Sequence, residues 1–148
     1  MTKVLIGAGC FWGIEEYYRK IKGILDTKVG YSGGKTINPT YEEVCTGLTE
    51  HAEVVQISFD NNILSYEQLI SFFWECHDPT QLNKQGFDIG RQYRSVIYYF
   101  SEEEKIIAFN SKDQKQKLFD KLIVTEILKA KTFYLAEEYH QLFIKKKS

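Results

Sequence analysis

The segment Gly7-Ala8-Gly9-Cys10-Phe11-Trp12-Gly13 constrains the fold of this chain more than any other stretch. Before it, Lys3–Ala8 is apolar or β-branched and reads as a strand. After it, Ile14, Tyr17, Tyr18 and Ile21 recur at i, i+3, i+4 and i+7, the spacing of one helix face. The glycines must therefore turn a strand into a helix within a few residues, and the helix begins at or just after Cys10. Backbone N–H groups at a helix start are unpaired and carry positive potential. A thiol held there is expected to lose its proton readily, which makes Cys10 a candidate nucleophile. The competing reading is a small residue buried in a tight turn.

The rest of the chain continues the alternation. Gly23 closes the first helix, and Leu25–Tyr31 reads as a strand running into Ser32-Gly33-Gly34. Residues 35–50 are loop-rich, with a turn of helix over Tyr41–Cys45. In Glu53–Phe59, Glu53, Val55, Ile57 and Phe59 share one face, with Val54, Gln56 and Ser58 on the other. Ser65 and Gln68 form a capping box for a helix whose stripe is Leu69, Ile70, Phe73 and Trp74. Residues 77–92 have no periodicity and read as a long functional or mobile loop. Ser95–Phe100 is apolar on both faces, as a central strand should be. Ser101 and Glu104 form a second capping box, for a polar helix through about Leu118. Leu122–Leu128 is a further strand candidate, and Ala136–Ile144 a short helix with Leu142 and Phe143 as its contacts. The order β-α-β-β-α-β-α-β predicts an α+β fold: one domain over residues 1–148, a two-layer sandwich of helices on a mixed sheet with a ferredoxin-like core.

Charge and cysteine usage exclude several function classes. With 19 basic and 20 acidic side chains, there is no footprint of a nucleic-acid binder. The longest apolar stretch, Val4–Ile14, is too short to span a bilayer. No secretion signal is recognised, so a cytoplasmic address is expected. Cys10, Cys45 and Cys76 form no C-x-x-C, and the histidines and cysteines supply no i, i+4 ligand pair, so no metal is expected. Gly7-x-Gly9-x-x-x-Gly13 is one residue too long for a dinucleotide fingerprint, and Phe11 and Trp12 would crowd a pyrophosphate. No bound cofactor is expected.

What remains is thiol chemistry. Glu53 shares strand parity with apolar residues, and desolvation there would let it carry a proton at neutral pH. Phe11 and Trp12 offer an apolar wall behind the thiol. Tyr41 and Tyr93 sit in or beside the two loops, where phenols donate hydrogen bonds to an oxygen. Asp88 and Arg91 share the second loop; alone, each is a turn former or a surface charge. The set suits a small, partly apolar substrate bearing a basic oxygen. Acyl transfer, peroxide reduction and sulfoxide reduction all remain open.

Gly9-Cys-Phe-Trp-Gly13 resembles the signature of the peptide methionine sulfoxide reductase A family. The resemblance continues through Gly30-Tyr-Ser-Gly-Gly34, Asn38-Pro-Thr-Tyr-Glu-Glu-Val-Cys45, His51-Ala-Glu53, His77-Asp-Pro-Thr80, Gln92-Tyr-Arg-Ser95 and Phe133-Tyr-Leu-Ala-Glu-Glu-Tyr-His-Gln141. It implies reduction of methionine-S-sulfoxide, free and in proteins, and thereby repair of oxidised proteins. By the same resemblance, Cys10 attacks the sulfoxide sulfur and becomes a sulfenic acid, and Glu53 handles the proton. Tyr41 and Tyr93 hydrogen-bond the sulfoxide oxygen, Phe11 and Trp12 hold the S-methyl group, and Asp88 assists through the loop around Tyr93. Thioredoxin or another small dithiol is the implied reductant of what is expected to be a monomer.

The chain departs from the family pattern in three ways. It has no cysteine after Cys76, where resolving cysteines are common. Glu50 replaces the glycine usual before His-Ala-Glu. Phe87 and Arg91 stand where smaller polar residues are common.

Overall fold

Strand β1 (Thr2–Ala8) carries Val4, Leu5 and Ile6 at full burial, so it is apolar on both faces and belongs inside a sheet. The computed structural model, which describes residues 2–148, places it there. Helix α1 (Phe11–Arg19) follows, then β2 (Ile24–Ser32), α2 (Tyr41–Cys45), β3 (Ala52–Phe59) and α3 (Tyr66–Phe73). A hairpin of β4 (Lys84–Gln85) and β5 (Asp88–Ile89) and a 3-10 turn at Arg91–Tyr93 lead into β6 (Ser95–Tyr99). Helix α4 (Glu102–Gln116), β7 (Glu126–Lys129), β8 (Tyr134–Leu135), a 3-10 turn at Glu138–His140 and α5 (Phe143–Lys147) complete the chain.

The main sheet has the order β7-β6-β1-β3-β2-β8. Only β6 and β7 run parallel, joined by α4 as crossover. The inner four strands, β6-β1-β3-β2, are mutually antiparallel and with α1 and α3 form the split β-α-β arrangement of a ferredoxin-like core. One face buries Val4, Ile6, Val55 and Ile57 with Ile14 and Tyr18 of α1 and Leu69, Ile70 and Phe73 of α3. On the reverse face a smaller cluster around Leu5, Val54 and Tyr98 is covered by Ala130 and Phe133. Glu53 lies on the strand parity of Val55 and Ile57, so the sheet delivers its carboxyl to the helical layer.

The elements with strong local signals form as the patterns predict. Ser65 and Gln68 cap α3 reciprocally, and Thr40 and Glu43 do the same for α2. Ser101 caps α4, but the Glu104 carboxylate accepts from Phe100 N–H one residue further back, so that capping box is only half formed. Three expectations differ. The 77–92 loop contains the β4–β5 hairpin, whose two-residue strands are too short to show a period. Residues 122–125 are not strand, because Val124 N–H donates to Pro79 O instead of joining the sheet. Residues 136–144 are not one helix. Buried Glu15 accepts from Leu142 N–H at 2.7 Å, and the Gln141 amide bonds both Val29 N–H and Val29 O at 2.9 Å. Those contacts hold Leu142 at φ 52 and delay the helix to Phe143.

The β2–β8 pair is close enough to require glycine at position 30. A Cβ there would lie 2.3 Å from Tyr134 O and 2.6 Å from the Phe133 ring. Gly30→Ala is expected to displace β8 and cost about 1–3 kcal/mol, read as a lowered urea midpoint at unchanged slope.

Candidate active site

The β1–α1 turn sets the site. Gly9 has φ +102, and a Cβ on it would lie 2.9 Å from Gln85 Cβ, so the turn needs glycine both for its backbone and for the approach of the β4–β5 hairpin. Cys10 then caps α1 at φ −59, ψ 121. The next residue makes the decisive bond: Phe11 N–H donates to Glu53 Oε1 at 3.2 Å, tying the helix start to β3.

Glu53 is 1% exposed, and its second oxygen, Oε2, has no partner. Burial pushes its carboxyl up to about 8; the charge of Asp88 adds to this, and the Phe11 N–H opposes it. At neutral pH the group therefore holds a proton, and since Oε1 accepts from Phe11, that proton belongs on Oε2. Cys10 departs from the expectation drawn from its helix position. Burial first, then the negative charges of Glu53 and Asp88, push the thiol up to about 11. The N–H groups of Trp12 and Gly13 pull the other way and are outweighed. The resting site thus holds a thiol beside a carboxylic acid, both protonated.

An aromatic wall adjoins this pair. Phe11 lies 5.7 Å from the Tyr31 ring and 5.2 Å from the His140 ring, centroid to centroid. Trp12 is half-buried, stacks on Phe143 at 3.9 Å with planes 8° apart, and donates its indole N–H to His140 Nδ1 at 2.9 Å. The Tyr41 ring is 4.5 Å from His140. Glu137 accepts from both Tyr31 Oη and Tyr41 N–H at 2.9 Å, which fixes the wall from behind. His140 is fully buried, and burial pulls its pKa down. With Nδ1 accepting from the indole, the proton sits on Nε2, which has no partner.

Sequence reasoning assigned no role to His140, Glu137, Tyr31 or Phe143. His140 and Glu137 lie inside the motif Phe133–Gln141 and Tyr31 inside Gly30–Gly34, which is the signal that they belong here; Phe143 reads in the sequence only as an apolar helix contact, and packing alone brings it to the site.

The two loops complete the site. The Tyr93 phenol is pushed up to about 12 by burial and by Glu53, and the Tyr41 phenol is raised by burial and by its hydrogen bond with Cys45. Both remain donors at any physiological pH. Asp88 is exposed, and its charge reaches Cys10, Glu53 and Tyr93. The other polar candidates serve the scaffold. The His51 ring bonds Gly34 N–H and Thr36 O, and His77 bonds Ser95 Oγ and Phe73 O. Burial lowers His77 to about 4, which keeps it neutral. All three cysteines are free; Cys45 is exposed, and Cys76 is raised to about 12 by burial with its thiol on Phe73 O. Glu50, where glycine is usual, takes φ +64 and pairs with Lys35 at 3.2 Å and Arg91 at 3.4 Å.

A thiol and a proton-holding carboxyl under an aromatic wall, on a ferredoxin-like α+β sandwich, define the class: a thiol-dependent enzyme. Comparison with known proteins specifies it further. The chain matches the family described as Peptide methionine sulfoxide reductase over residues 2–148. It is 53% identical to a peptide methionine sulfoxide reductase MsrA of Methanothermobacter thermautotrophicus, covering 97% of this chain and 86% of that one. Among solved structures, reduced Mxr1 of Saccharomyces cerevisiae superposes with a TM-score of 0.94 at 38% identity, covering 98% of this chain and 84% of the other. Mxr1 in complex with Trx2 matches with a TM-score of 0.70 at 29% identity, covering 94% and 83%. The chain belongs to the peptide methionine sulfoxide reductase family.

The raised Glu53 makes stability depend on pH. Its unfolded carboxyl ionises near 4.5 while the folded one holds its proton to about 8, so this group's contribution to stability is lost as pH rises through that window. Glu53→Gln is expected to flatten the profile there and to exceed the wild type in stability at pH 9, measured by urea denaturation across pH.

Proposed function

We propose that this protein, as one domain over residues 1–148, reduces methionine-S-sulfoxide to methionine, both free and in polypeptides, through a sulfenic acid on Cys10. The observation that carries the reading is the Phe11 N–H bond to Glu53. It places an acid of pKa about 8 beside the thiol while leaving its proton-bearing oxygen unpartnered. A sulfoxide oxygen is basic, and Oε2–H is the donor it would meet.

The step balances with these residues alone. Glu53 gives its proton to the sulfoxide oxygen while Tyr41 and Tyr93 hydrogen-bond it, which polarises the S–O bond. The carboxylate so formed takes the Cys10 proton, and the thiolate attacks the sulfoxide sulfur. The attack joins the Cys10 sulfur to the substrate sulfur; the protonated oxygen then passes to the Cys10 sulfur as the substrate S–O bond and this S–S bond both break. Substrate sulfur gains two electrons, Cys10 sulfur loses two, methionine leaves, and Glu53 is again protonated. Phe11 and Trp12 hold the S-methyl group in the meantime. Asp88 acts at a distance, its charge raising the proton affinity of Glu53.

The sulfenic acid must then be reduced, and a thioredoxin-type dithiol is the proposed donor, supported by the solved complex of yeast Mxr1 with Trx2. Three free thiols suit a reducing compartment, and the cytoplasm is the proposed location. Among the described residues no helix is long and apolar enough to cross a membrane.

A single turnover without reductant tests the reading. Pre-reduced protein should release one methionine per chain, and a sulfenic-acid probe should label Cys10; Cys10→Ser should do neither. No methionine from folded, reduced protein would overturn the assignment. Glu53→Gln is expected to slow methionine release by about 10²- to 10⁴-fold. The wild-type rate should fall as pH rises through about 8, where Glu53 loses its proton, and this limb should be missing from the variant. A Glu53→Gln rate within twofold of wild type would exclude the proton-donor role.

A further inference from the structure

Phe87 is the most exposed large apolar side chain of the described residues, at 104% of its reference area. It occupies the second position of the two-residue turn Gly86-Phe87 that closes the β4–β5 hairpin, with Gly86 at φ +61. Nothing in the fold uses the ring. An exposed aromatic on a floppy loop would mean little, but this turn is held firmly. The Gln85 amide accepts from Asp78 N–H at 2.8 Å and donates to Asp78 O at 2.9 Å. Gln81 Oε1 accepts from Gly86 N–H, and Gly90 N–H donates to Asn83 O, both at 2.9 Å. The ring is therefore presented from a braced support.

The hairpin also has a definite relation to the site. Gln85 sits against Gly9, one residue before Cys10. Gln85 pairs with Asp88 and Lys84 with Ile89, so Asp88 shares the inward face with Gln85, while Ile89 faces away. Phe87 directly precedes Asp88, whose charge reaches Cys10, Glu53 and Tyr93. Phe87 thus sits at the tip of the hairpin that abuts the turn carrying Cys10, one residue before Asp88.

We propose that Phe87 is a specificity-determining residue: it binds the apolar residues flanking a methionine sulfoxide in an unfolded polypeptide segment, and so favours such segments over the free amino acid. The proposal rests on the reductase reading and deepens it. Methionine is mostly a core residue, and its oxidation disrupts cores. The segments that reach the enzyme therefore carry apolar neighbours, which a water-exposed ring gains by covering. A braced aromatic loses little conformational freedom on binding, so most of that gain appears as affinity. The contact is the same in ground and transition states, so it should act on KM and not on kcat.

The test compares the wild type with Phe87→Ser and Ile89→Ser, using dithiothreitol as reductant so that no protein partner takes part. Ile89 is 75% exposed and lies on the outward face of the same hairpin, which controls for general loss of apolar surface. The substrates are free methionine-S-sulfoxide, a hexapeptide with the sulfoxide between Leu and Phe, and one with it between Ser and Gly. Phe87→Ser should raise KM for the Leu/Phe peptide about five- to tenfold at unchanged kcat, and leave the other two substrates within about twofold. Ile89→Ser should leave all three within about twofold. An unchanged KM for the Leu/Phe peptide would overturn the proposal. So would an equal loss on all three substrates, which would mean that the hairpin had been distorted, or a loss seen only when thioredoxin replaces dithiothreitol, which would make Phe87 a contact for the reductant. If the wild type turns over none of the three, the reductase reading itself fails, which is a distinct result.

Discussion

The hydrogen bond from Phe11 N–H to Glu53 Oε1 is the joint on which the rest of the site depends. It links the first turn of α1 to the start of β3, two segments 42 residues apart. A helix start offers free N–H groups, and a buried carboxyl needs a donor; each answers the other's requirement. The bond uses one carboxyl oxygen and leaves the other without a partner. It also sets the buried Glu53 carboxyl beside the half-buried preceding residue, Cys10.

Burial then changes what the helix start can do. Helix N-termini usually lower a thiol's pKa. Here desolvation and two nearby carboxyls outweigh the Trp12 and Gly13 N–H groups, and Cys10 rests as a thiol. That state suits a substrate that brings its own base. A standing thiolate next to an ionised Glu53 would place two like charges in a low-dielectric site, and a neutral pair avoids this cost. In the proposed mechanism the thiolate forms only when an acceptor for the Glu53 proton is present.

The C-terminal segment closes the site, though it contributes little regular structure. Glu15 holds Leu142 N–H, Gln141 clamps Val29, and Glu137 bridges Tyr31 and Tyr41. These contacts carry His140 and Phe143 onto Trp12. They also explain why an apparent helix over 136–144 is broken: side-chain bonds to distant strands outweigh the local preference for a continuous helix.

The sequence by itself determined the elements whose signals are local. The glycine turn into α1, the parity of Glu53, the Ser65 cap and the both-faces-apolar β6 all depend on neighbours within one or two turns of chain, and all appear where the patterns put them. The placement of Cys10 at the helix start, of Phe11 and Trp12 in its first turn and of Glu53 on the apolar strand face was legible for the same reason. The tertiary structure alone decided what those groups are chemically. Whether Cys10 is thiolate or thiol depends on how far Glu53 and Asp88 stand from it and how much water remains. Whether His140 or Phe143 belongs to the site depends on contacts spanning more than a hundred residues. Periodicity reports which face of an element is apolar, and it carries no information about which distant charge or ring will meet that face once the layers close.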